Sequence, residues 1–542
     1  MDRMVNPVEN DYTEIVQRLP KKQKWAYGVG HVLNDICASI WFTYLIVFFH
    51  LVLGFDPVLS GVVLLIGQVA DAIATPFVGL QSDIDDNFWL CRYGRRKTWH
   101  LLGTGCVLLS FPFIFSQCVN CVDAHHWAQI IYYAAFIIIF QFGWAAVQIS
   151  HLSLIPDLTP SEHERTELTA IRYTFTVFAN IFVYCITWAV LHLSRDNPNA
   201  PIGPNDDFKF QEIILISISI GFLSSVIFHT FVKENPYNST GPIRRHLRPA
   251  SEFLKDIQFY QVAAVYMPTR LFANISQIYV PLYLHDSLKM PATSLATIPL
   301  IMYLSSFQVS LVIDKINKKL GRKIAYSIGV ILGVCACIWI WFGKGDTFIS
   351  YEIYPVALLL GAAGSVMLVT SLGLTADLIG ENTESGAFVY GAMSFTDKLC
   401  NGLVVMVIQY TRCTTDCSDY YRNVLSFVCG GSAIFGLTMI LLIKSFSYYD
   451  DDYQNMETDA SSEPVEDNYE RSISNNTMTK NHRILAVACL MVRCLSPLST
   501  DDSLARDSLP GSDYVPLGQS SFYFQDLASQ PPPQELSQDS PI

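Results

Sequence analysis

Long apolar stretches separated by short polar segments occupy residues 25–446 of the chain. A helix that spans the hydrocarbon core of a bilayer needs about 20 consecutive, mostly apolar residues. Twelve stretches meet this requirement, at approximately 25–53, 58–80, 98–117, 127–156, 168–193, 211–232, 259–288, 292–313, 324–343, 353–379, 387–411 and 422–446. The pattern therefore predicts an all-α membrane protein with 12 transmembrane helices.

The composition supports a membrane protein and sets the C-terminal part of the chain apart. Only 15% of the 542 residues are charged, whereas soluble domains contain about 25%. The net charge of −13 comes mainly from residues 450–542, which hold 16 acidic and 5 basic residues, a balance of −11. The acidic charge therefore belongs to a tail, predicted at 447–542 to be disordered, and nothing indicates a nucleic-acid partner.

Basic residues gather at one set of span ends, and this bias predicts the orientation of the chain in the membrane. With alternating spans they all lie on one side: Arg18, Lys21, Lys22, Lys24, Arg92, Arg95, Arg96, Lys97, Lys233, Arg244, Arg245, Arg248, Lys255, Lys315, Lys318, Lys319, Arg322 and Lys323. We expect this side to be cytosolic. Both termini are then cytosolic, with the N-terminal segment 1–24, the central loop 233–258 and the tail 447–542.

Two repeated motifs relate the first six spans to the last six. Residues 152–158 (LSLIPDL) end the fourth span, and residues 372–378 (LGLTADL) end the tenth. A basic GRRK motif at 94–97 follows the second span, and GRK at 321–323 follows the eighth. A carboxylate precedes each basic motif and suits an ion pair that closes the cytosolic side. The gating candidates are Asp83, Arg95, Arg96, Asp314 and Arg322.

Two matches in the same order predict two parallel six-helix halves, at residues 25–232 and 259–446. Within the first half, Asp71 interrupts an apolar helix. An ionisable side chain at membrane depth is costly and by default marks a pathway or a coupling site; a structural carboxylate paired to another helix is the alternative. His31 and Asp35 are spaced i,i+4 on one face of the first span, where an interior structural histidine is again the alternative.

Several segments carry a family resemblance: 27–30 (YGVG), Asn34-Asp35, 71–76 (DAIATP), 153–156 (SLIP) and Arg172. They resemble the melibiose-permease-like cation symporters of the major facilitator superfamily. Longer segments, such as 30–39 (GHVLNDICAS) and 148–156 (QISHLSLIP), resemble more narrowly the lysosomal and melanosomal cysteine carriers of that superfamily. The resemblance covers about 25–445. It implies the major facilitator fold and transport of cysteine from the cytosol into a lysosome or related organelle.

The resemblance also implies roles for buried polar residues. Asp71 corresponds to a ligand of the coupling cation, but the two further carboxylates of these symporters correspond to Thr75 and Gln148. Because a hard cation needs several oxygen ligands, this change disfavours sodium, whereas a single desolvated carboxylate suits a proton; uniport also stays open. The coupling candidates are Asp71, Asp35 and His31. The substrate-binding candidates are Arg172, Lys398, Gln148, Asn34 and Arg270. The alternative is that these charges only pair with one another, and this interpretation is favoured for Arg270 and Asp397.

Two cysteine pairs fall in loops on the predicted non-cytosolic side: Cys118 with Cys121, and Cys413 with Cys417. Disulfides can form and persist in such a compartment, and four cysteines allow three pairings. A metal site near Cys118 is the alternative, but the usual four-ligand spacing is missing. We therefore expect disulfides, no bound metal and no resident cofactor.

Tyr12-Thr-Glu-Ile15 and Tyr514-Val-Pro-Leu517 match a short sorting pattern in predicted cytosolic segments, so sorting adaptors are candidate partners. No phosphate-binding loop, zinc spacing or nucleophile elbow indicates an enzyme. Three functions are compatible with the sequence. They are a cysteine carrier, a cation-coupled symporter of a sugar or other small polar solute, and a transporter-like sensor whose tail binds partners.

Overall fold

The computed structural model describes residues 19–83, 93–159, 161–193, 200–234, 253–379, 383–412 and 418–443. Most of the N-terminal segment, including Tyr12, most of the central loop, and the whole of the tail, including Tyr514, lie outside these residues. The first half contains α1 (Lys21–Val29), α2 (Val32–Val47), α3 (Pro57–Asp83), α4 (Arg95–Ile114), α5 (His126–Leu158), α6 (Glu162–Leu193) and α7 (Asp207–Phe231). The second contains α8 (Ile257–Leu282), α9 (Ser294–Leu320), α10 (Arg322–Phe342), α11 (Ile353–Ile379), α12 (Thr383–Tyr410), α13 (Tyr420–Asn423) and α14 (Gly430–Leu442).

Ten described helical stretches are long and apolar enough to cross a membrane. The stretch Lys21–Val52 joins α1 and α2 into the first span, and Tyr420–Leu442 joins α13 and α14 into the last. The third and seventh spans are α4 and α8, which are more polar because α4 begins with three basic residues and α8 carries amides and an arginine. The all-α fold is thus confirmed, and each of the twelve predicted spans coincides with described helix, ten of them meeting the length and apolarity criterion.

Helix packing follows an approximate two-fold relation between the halves. In the first half α4 packs on α5 and α3 on α5; in the second half α10 packs on α11 and α9 on α11. Across the halves α3 packs along α12, and its counterpart α9 packs along α6. The first and seventh spans meet through α2 and α8. This arrangement places α2, α3, α6, α8, α9 and α12 at the interface between the halves.

The repeated basic motifs begin with glycines in the left-handed region of backbone space. Gly94 has φ 125° directly before α4, and Gly321 has φ 81° directly before α10. A side chain would strain the backbone there. Gly321 alone therefore turns the chain from α9 into α10, which brings Arg322 to the end of the bundle. We call this end, with Arg95, Arg96, Lys97, Arg322 and Lys323, the basic end.

The first span is broken between α1 and α2, at Gly30 and His31. Two histidines from neighbouring helices donate hydrogen bonds to carbonyl groups at this break. His151 Nε2 lies 2.7 Å from the carbonyl oxygen of Tyr27, and His100 Nε2 lies 3.1 Å from that of Gly30. His151 thus supports the backbone, and the break positions His31 near the middle of the bundle.

Candidate functional site

A buried ion pair joins the halves near the middle of α3 and α12. Lys398 Nζ lies 2.7 Å from Asp71 Oδ1, with 11% and 5% of these side chains exposed. The ammonium also donates to Thr75 Oγ1 at 2.8 Å, and the Thr75 hydroxyl lies 3.1 Å from Asp71 Oδ1. Asp71 is therefore paired with a cation of another helix, which is the structural alternative that the sequence analysis left open.

A second polar cluster lies in the first half, where the broken span meets α6. His31 Nδ1 lies 2.9 Å from Asp35 Oδ2, and Arg172 Nη2 lies 3.0 Å from His31 Nε2. Because a guanidinium only donates, Nε2 accepts and the His31 proton is on Nδ1, facing Asp35. Thr176 donates to Asp35 at 2.9 Å, and Asn34 Nδ2 lies 3.4 Å from His31 Nε2. Neutral His31 thus bridges a cation and an anion, and its protonation would displace Arg172.

The second half carries a corresponding pair with the charges exchanged between helices. Arg270 Nε on α8 donates to Asp397 Oδ2 on α12 at 3.0 Å. Asn401 donates to the other carboxylate oxygen of Asp397 at 2.5 Å. In the first half the acid, Asp35, lies on the first span and the base, Arg172, lies on the fifth. In the second half the base, Arg270, lies on the seventh span and the acid, Asp397, lies on the eleventh. Only 2% of the Asp397 side chain is exposed, but 29% of Arg270 is.

The exposed part of Arg270 faces a partly open cavity of about 260 Å³ between α6, α8, α9 and α11. Arg270 is the only charged residue among the described residues that line it. Arg270, Asn274 and Gln277 share one face of α8 at i, i+4 and i+7 spacing, and Tyr184 and Tyr303 lie on the facing helices. The cavity therefore combines one cation with amide and hydroxyl groups, an arrangement suited to a small polar anion or zwitterion.

The structure separates the five predicted substrate-binding residues. Arg172 and Asn34 contact His31, Lys398 contacts Asp71, and Gln148 is half-buried on α5. Of the five, Arg270 alone lines the cavity described above. The sequence analysis did not single out the amides at 274 and 277, although their spacing from Arg270 on a predicted helix was a visible signal.

At the basic end, each repeated motif contacts the other repeated motif of its own half. Arg96 Nε lies 3.6 Å from Asp157 Oδ2. In the second half Arg322 forms an ion pair with Asp377 through two nitrogens, with Nη2 to Oδ1 at 2.6 Å. The side chains of Asp83 and Asp314 lie outside the described part. Arg96 and Arg322 thus bind Asp157 and Asp377 at the ends of α5 and α11. The sequence analysis identified the segments that contain these two carboxylates as repeats but assigned them no partner.

A buried ion pair also fixes the start of the first span at the basic end. Lys24 Nζ lies 2.9 Å from Glu164 and 2.6 Å from Glu167, both on α6. Burial acts to raise the pKa of Glu164, but hydrogen bonds from Lys24 and Thr159 outweigh it and hold the pKa below its usual value. This contact again lies within one half.

The opposite end of the bundle is held by contacts between the halves. Arg412 at the end of α12 donates to Asp286 at 2.7 Å and to His50 Nε2 of the first half. His285 contacts Asp286 at 2.7 Å and the Ile202 carbonyl of the first half at 3.1 Å. We call His50, Ile202, His285, Asp286 and Arg412 the opposite-end network. No sequence motif had pointed to it.

The two histidines of this network differ in their partners. Both partners of His285, the Asp286 carboxylate and the Ile202 carbonyl, are acceptors. His50 accepts from Arg412 on Nε2 and donates from Nδ1 to the Phe55 carbonyl at 3.0 Å, so this ring is neutral. Protonation of His50 would therefore place a second cation against Arg412.

One of the two predicted cysteine pairs lies in a described loop at this end. Cys118 and Cys121 are joined by a disulfide after α4. Cys413 and Cys417 lie outside the described residues, so their pairing stays a prediction.

Comparison with known proteins gives the family. The family model for "MFS/sugar transport protein" matches residues 26–444. The chain is 45% identical over 436 residues to Major facilitator superfamily domain-containing protein 12 of Homo sapiens, covering 76% of this chain and 90% of that protein. The mouse protein of that name is 44% identical over 438 residues, with the same coverage.

Solved structures agree on the fold. The crystal structure of a D-xylose-proton symporter matches with a TM-score of 0.58 at 12% identity, covering 78% of this chain and 98% of that one. The family model and the relatives both cover most of the chain, which confirms the resemblance seen in the sequence. The chain therefore belongs to the major facilitator superfamily and is a multi-pass membrane transporter rather than an enzyme.

Proposed function

We propose that this chain carries cysteine, as the free thiol amino acid, from the cytosol into the lumen of a lysosome or related organelle such as the melanosome. The observation that carries the proposal is the cavity at Arg270. Its volume of about 260 Å³ lies just below the range of about 300–1,000 Å³ for sites of drug-sized ligands. A guanidinium in its wall matches a carboxylate. The resemblance of the quoted sequence segments to cysteine carriers supports the choice among small amino acids.

The second candidate is a cation-coupled symporter of a sugar or other small polar solute. The hydroxyl and amide groups of the cavity wall favour it, because they also suit a sugar. The contact between Lys398 and Asp71 opposes it, because an ammonium group replaces the metal cation at the position that binds it in the melibiose-type symporters.

If a coupling ion is used, we propose a proton, with Asp71, Asp35 and His31 as its candidate carriers. The organelle lumen of this proposal is acidic, so protons run downhill from the lumen to the cytosol. Cysteine moving into the lumen then travels against the proton flux. Proton coupling in this direction requires exchange, whereas symport would export cysteine from the lumen.

Uptake by the purified full-length chain in proteoliposomes tests these proposals. Labelled cysteine, kept reduced, is presented with unlabelled serine, alanine, cystine or melibiose, under pH gradients of either sign. The cysteine proposal predicts uptake that cysteine itself suppresses and melibiose does not. Competition by a sugar without any by cysteine would establish the second candidate. Faster uptake into vesicles that are acidic inside indicates exchange, whereas faster uptake into vesicles that are acidic outside indicates symport.

Localisation to the organelle is proposed to depend on the Tyr12 and Tyr514 motifs, which would bind sorting adaptors. Replacement of both tyrosines by alanine is expected to move the protein to the cell surface, as measured by surface biotinylation. Unchanged localisation of the double variant to the organelle would exclude these motifs as the sorting signals.

A further inference from the structure

We propose that the cavity beside Arg270 is the substrate site and that Gly364 limits the size of the side chain it admits, which restricts the carrier to small α-amino acids. The proposal rests on the proposed function of amino-acid transport. It adds the positions of the three parts of the substrate: carboxylate, ammonium group and side chain.

The carboxylate position follows from the unused donors of Arg270. Its Nε donates to Asp397, and its two terminal nitrogens make no hydrogen bond to a described residue. The buried Asp397, itself bound by Asn401, fixes the plane of the guanidinium. The terminal nitrogens then present a parallel pair of donors to the cavity, which matches a carboxylate bidentately. Asp397 is a positioning residue for this contact.

The ammonium position follows from two amides on the same face of α8. Gln277 Nε2 donates to Thr43 Oγ1 at 3.1 Å, which leaves its Oε1 as an acceptor. Asn274 lines the cavity, is only 6% exposed, and has no hydrogen-bond partner for its side chain among the described residues. A bound ammonium group would satisfy both amide oxygens.

The side-chain position follows from two glycines of α11. A Cβ atom on Gly361 would lie 2.0 Å from the Met302 carbonyl oxygen, so this glycine is needed where α11 crosses α9. A Cβ atom on Gly364 would have its nearest neighbour, a ring carbon of Phe272, at 4.0 Å. Helix packing therefore tolerates a side chain at Gly364, but that side chain would take up cavity volume.

The test is a size series at Gly364 with a matched control. Gly364→Ala and Gly364→Val are compared with Gly431→Ala, which lies on the exposed face of α14 where a Cβ atom meets nothing within 4 Å. Initial uptake rates in proteoliposomes give KM and kcat for cysteine, serine and alanine. We expect KM to rise stepwise, by about tenfold for Gly364→Val, equivalent to about 1.4 kcal/mol of binding. Among the three substrates the rise should be largest for cysteine and smallest for alanine, and Gly431→Ala should behave as wild type.

A second measurement tests the carboxylate contact without changing the protein. Cysteine amide and alanine amide, which lack the carboxylate, should compete at least about tenfold less well than the parent amino acids. Arg270→Lys, which keeps the charge but loses the planar pair of donors, should abolish this difference. If wild type transports cysteine but KM is unchanged in the Gly364 series, the site is overturned and the proposed function stands. If wild type transports no amino acid, both are overturned.

Discussion

The two ends of the bundle are held by different kinds of contact. At the basic end Arg96 and Arg322 bind carboxylates of their own halves. At the opposite end Arg412 and His285 of the second half reach His50 and Ile202 of the first. Among the described residues, hydrogen bonds and ion pairs between the halves lie near the middle of the helices or at the opposite end. The structure is therefore closed at the opposite end.

This difference separates contacts that organise a half from contacts that hold the halves together. Alternating access moves one half against the other, so contacts within a half survive the motion and contacts between halves must break. The sequence analysis predicted that the repeated basic motifs close the cytosolic side. In this state Arg96 and Arg322 of these motifs form ion pairs within their own halves. The contacts that join the halves in this state include the opposite-end network and the Asp71–Lys398 pair.

The largest expected effect comes from Asp71→Asn, which removes the ion pair that joins the two halves near the middle of α3 and α12. Lys398 is then buried without its partner, at a cost of about 3–5 kcal/mol. Transport should fall at least about a hundredfold, while gel filtration and organelle localisation stay normal. Measured uptake at the wild-type rate with wild-type pH dependence would rule out a role for this carboxylate.

Arg412→Gln should have the next largest effect, because it breaks two contacts of the opposite-end network at once. Asp286, with 13% of its side chain exposed, keeps only His285. Deuterium uptake by backbone amides of residues 48–57 and 283–290 should rise by about tenfold in rate, as expected for a closed state weakened by about 1.4 kcal/mol. Exchange at wild-type rates would mean that this network does not close the end.

Arg322→Gln is the matched test at the basic end and should change little. Its ion pair with Asp377 is about one third exposed on both sides, and exposed pairs contribute about 0–1 kcal/mol. Exchange at residues 48–57 and 283–290 should therefore stay within about threefold of wild type. A rise like that in Arg412→Gln would contradict the division between the two ends.

His50 should make closure of the opposite end depend on pH. The charged and titratable groups around it are Arg412, Asp286 and His285. Acid on that side protonates His50, which then repels Arg412, so exchange at residues 48–57 should increase as pH falls below the ordinary histidine pKa of about 6.5. His50→Gln, measured at the same pH values, should lack the increase. Identical profiles for both proteins would exclude His50 as the titrating group.

The smallest effect concerns stability at the basic end. Because the pKa of Glu164 is lowered in the folded state, its ionised form stabilises the fold above the ordinary glutamate pKa, and this contribution is lost as pH falls through the folded-state pKa. The melting temperature of Glu164→Gln should be lower near neutral pH and should fall less steeply on acidification to pH 4. Parallel curves for variant and wild type would contradict this assignment.

The sequence predicted those features that depend on local pattern. Apolar length identified the twelve spans, and the repeats at 152–158 and 372–378 identified the halves. Side-chain partners were not predicted, because they depend on the rotation of each helix about its axis. Asp71 and Lys398 lie far apart in the chain, and their contact requires α3 and α12 to present matching faces. His50 and Arg412 occur singly at span ends, where no spacing distinguishes them from ordinary surface charges.

Hydrogen exchange with and without saturating cysteine tests alternating access by this chain most directly. Substrate in the Arg270 cavity should favour closure of the basic end and opening of the opposite end. Deuterium uptake should then decrease at residues 95–104 and 322–329 and increase at residues 48–57 and 283–290, with smaller changes in Gly364→Val. Changes in the same direction at both ends, or none in wild type, would contradict a carrier that alternates between these two ends.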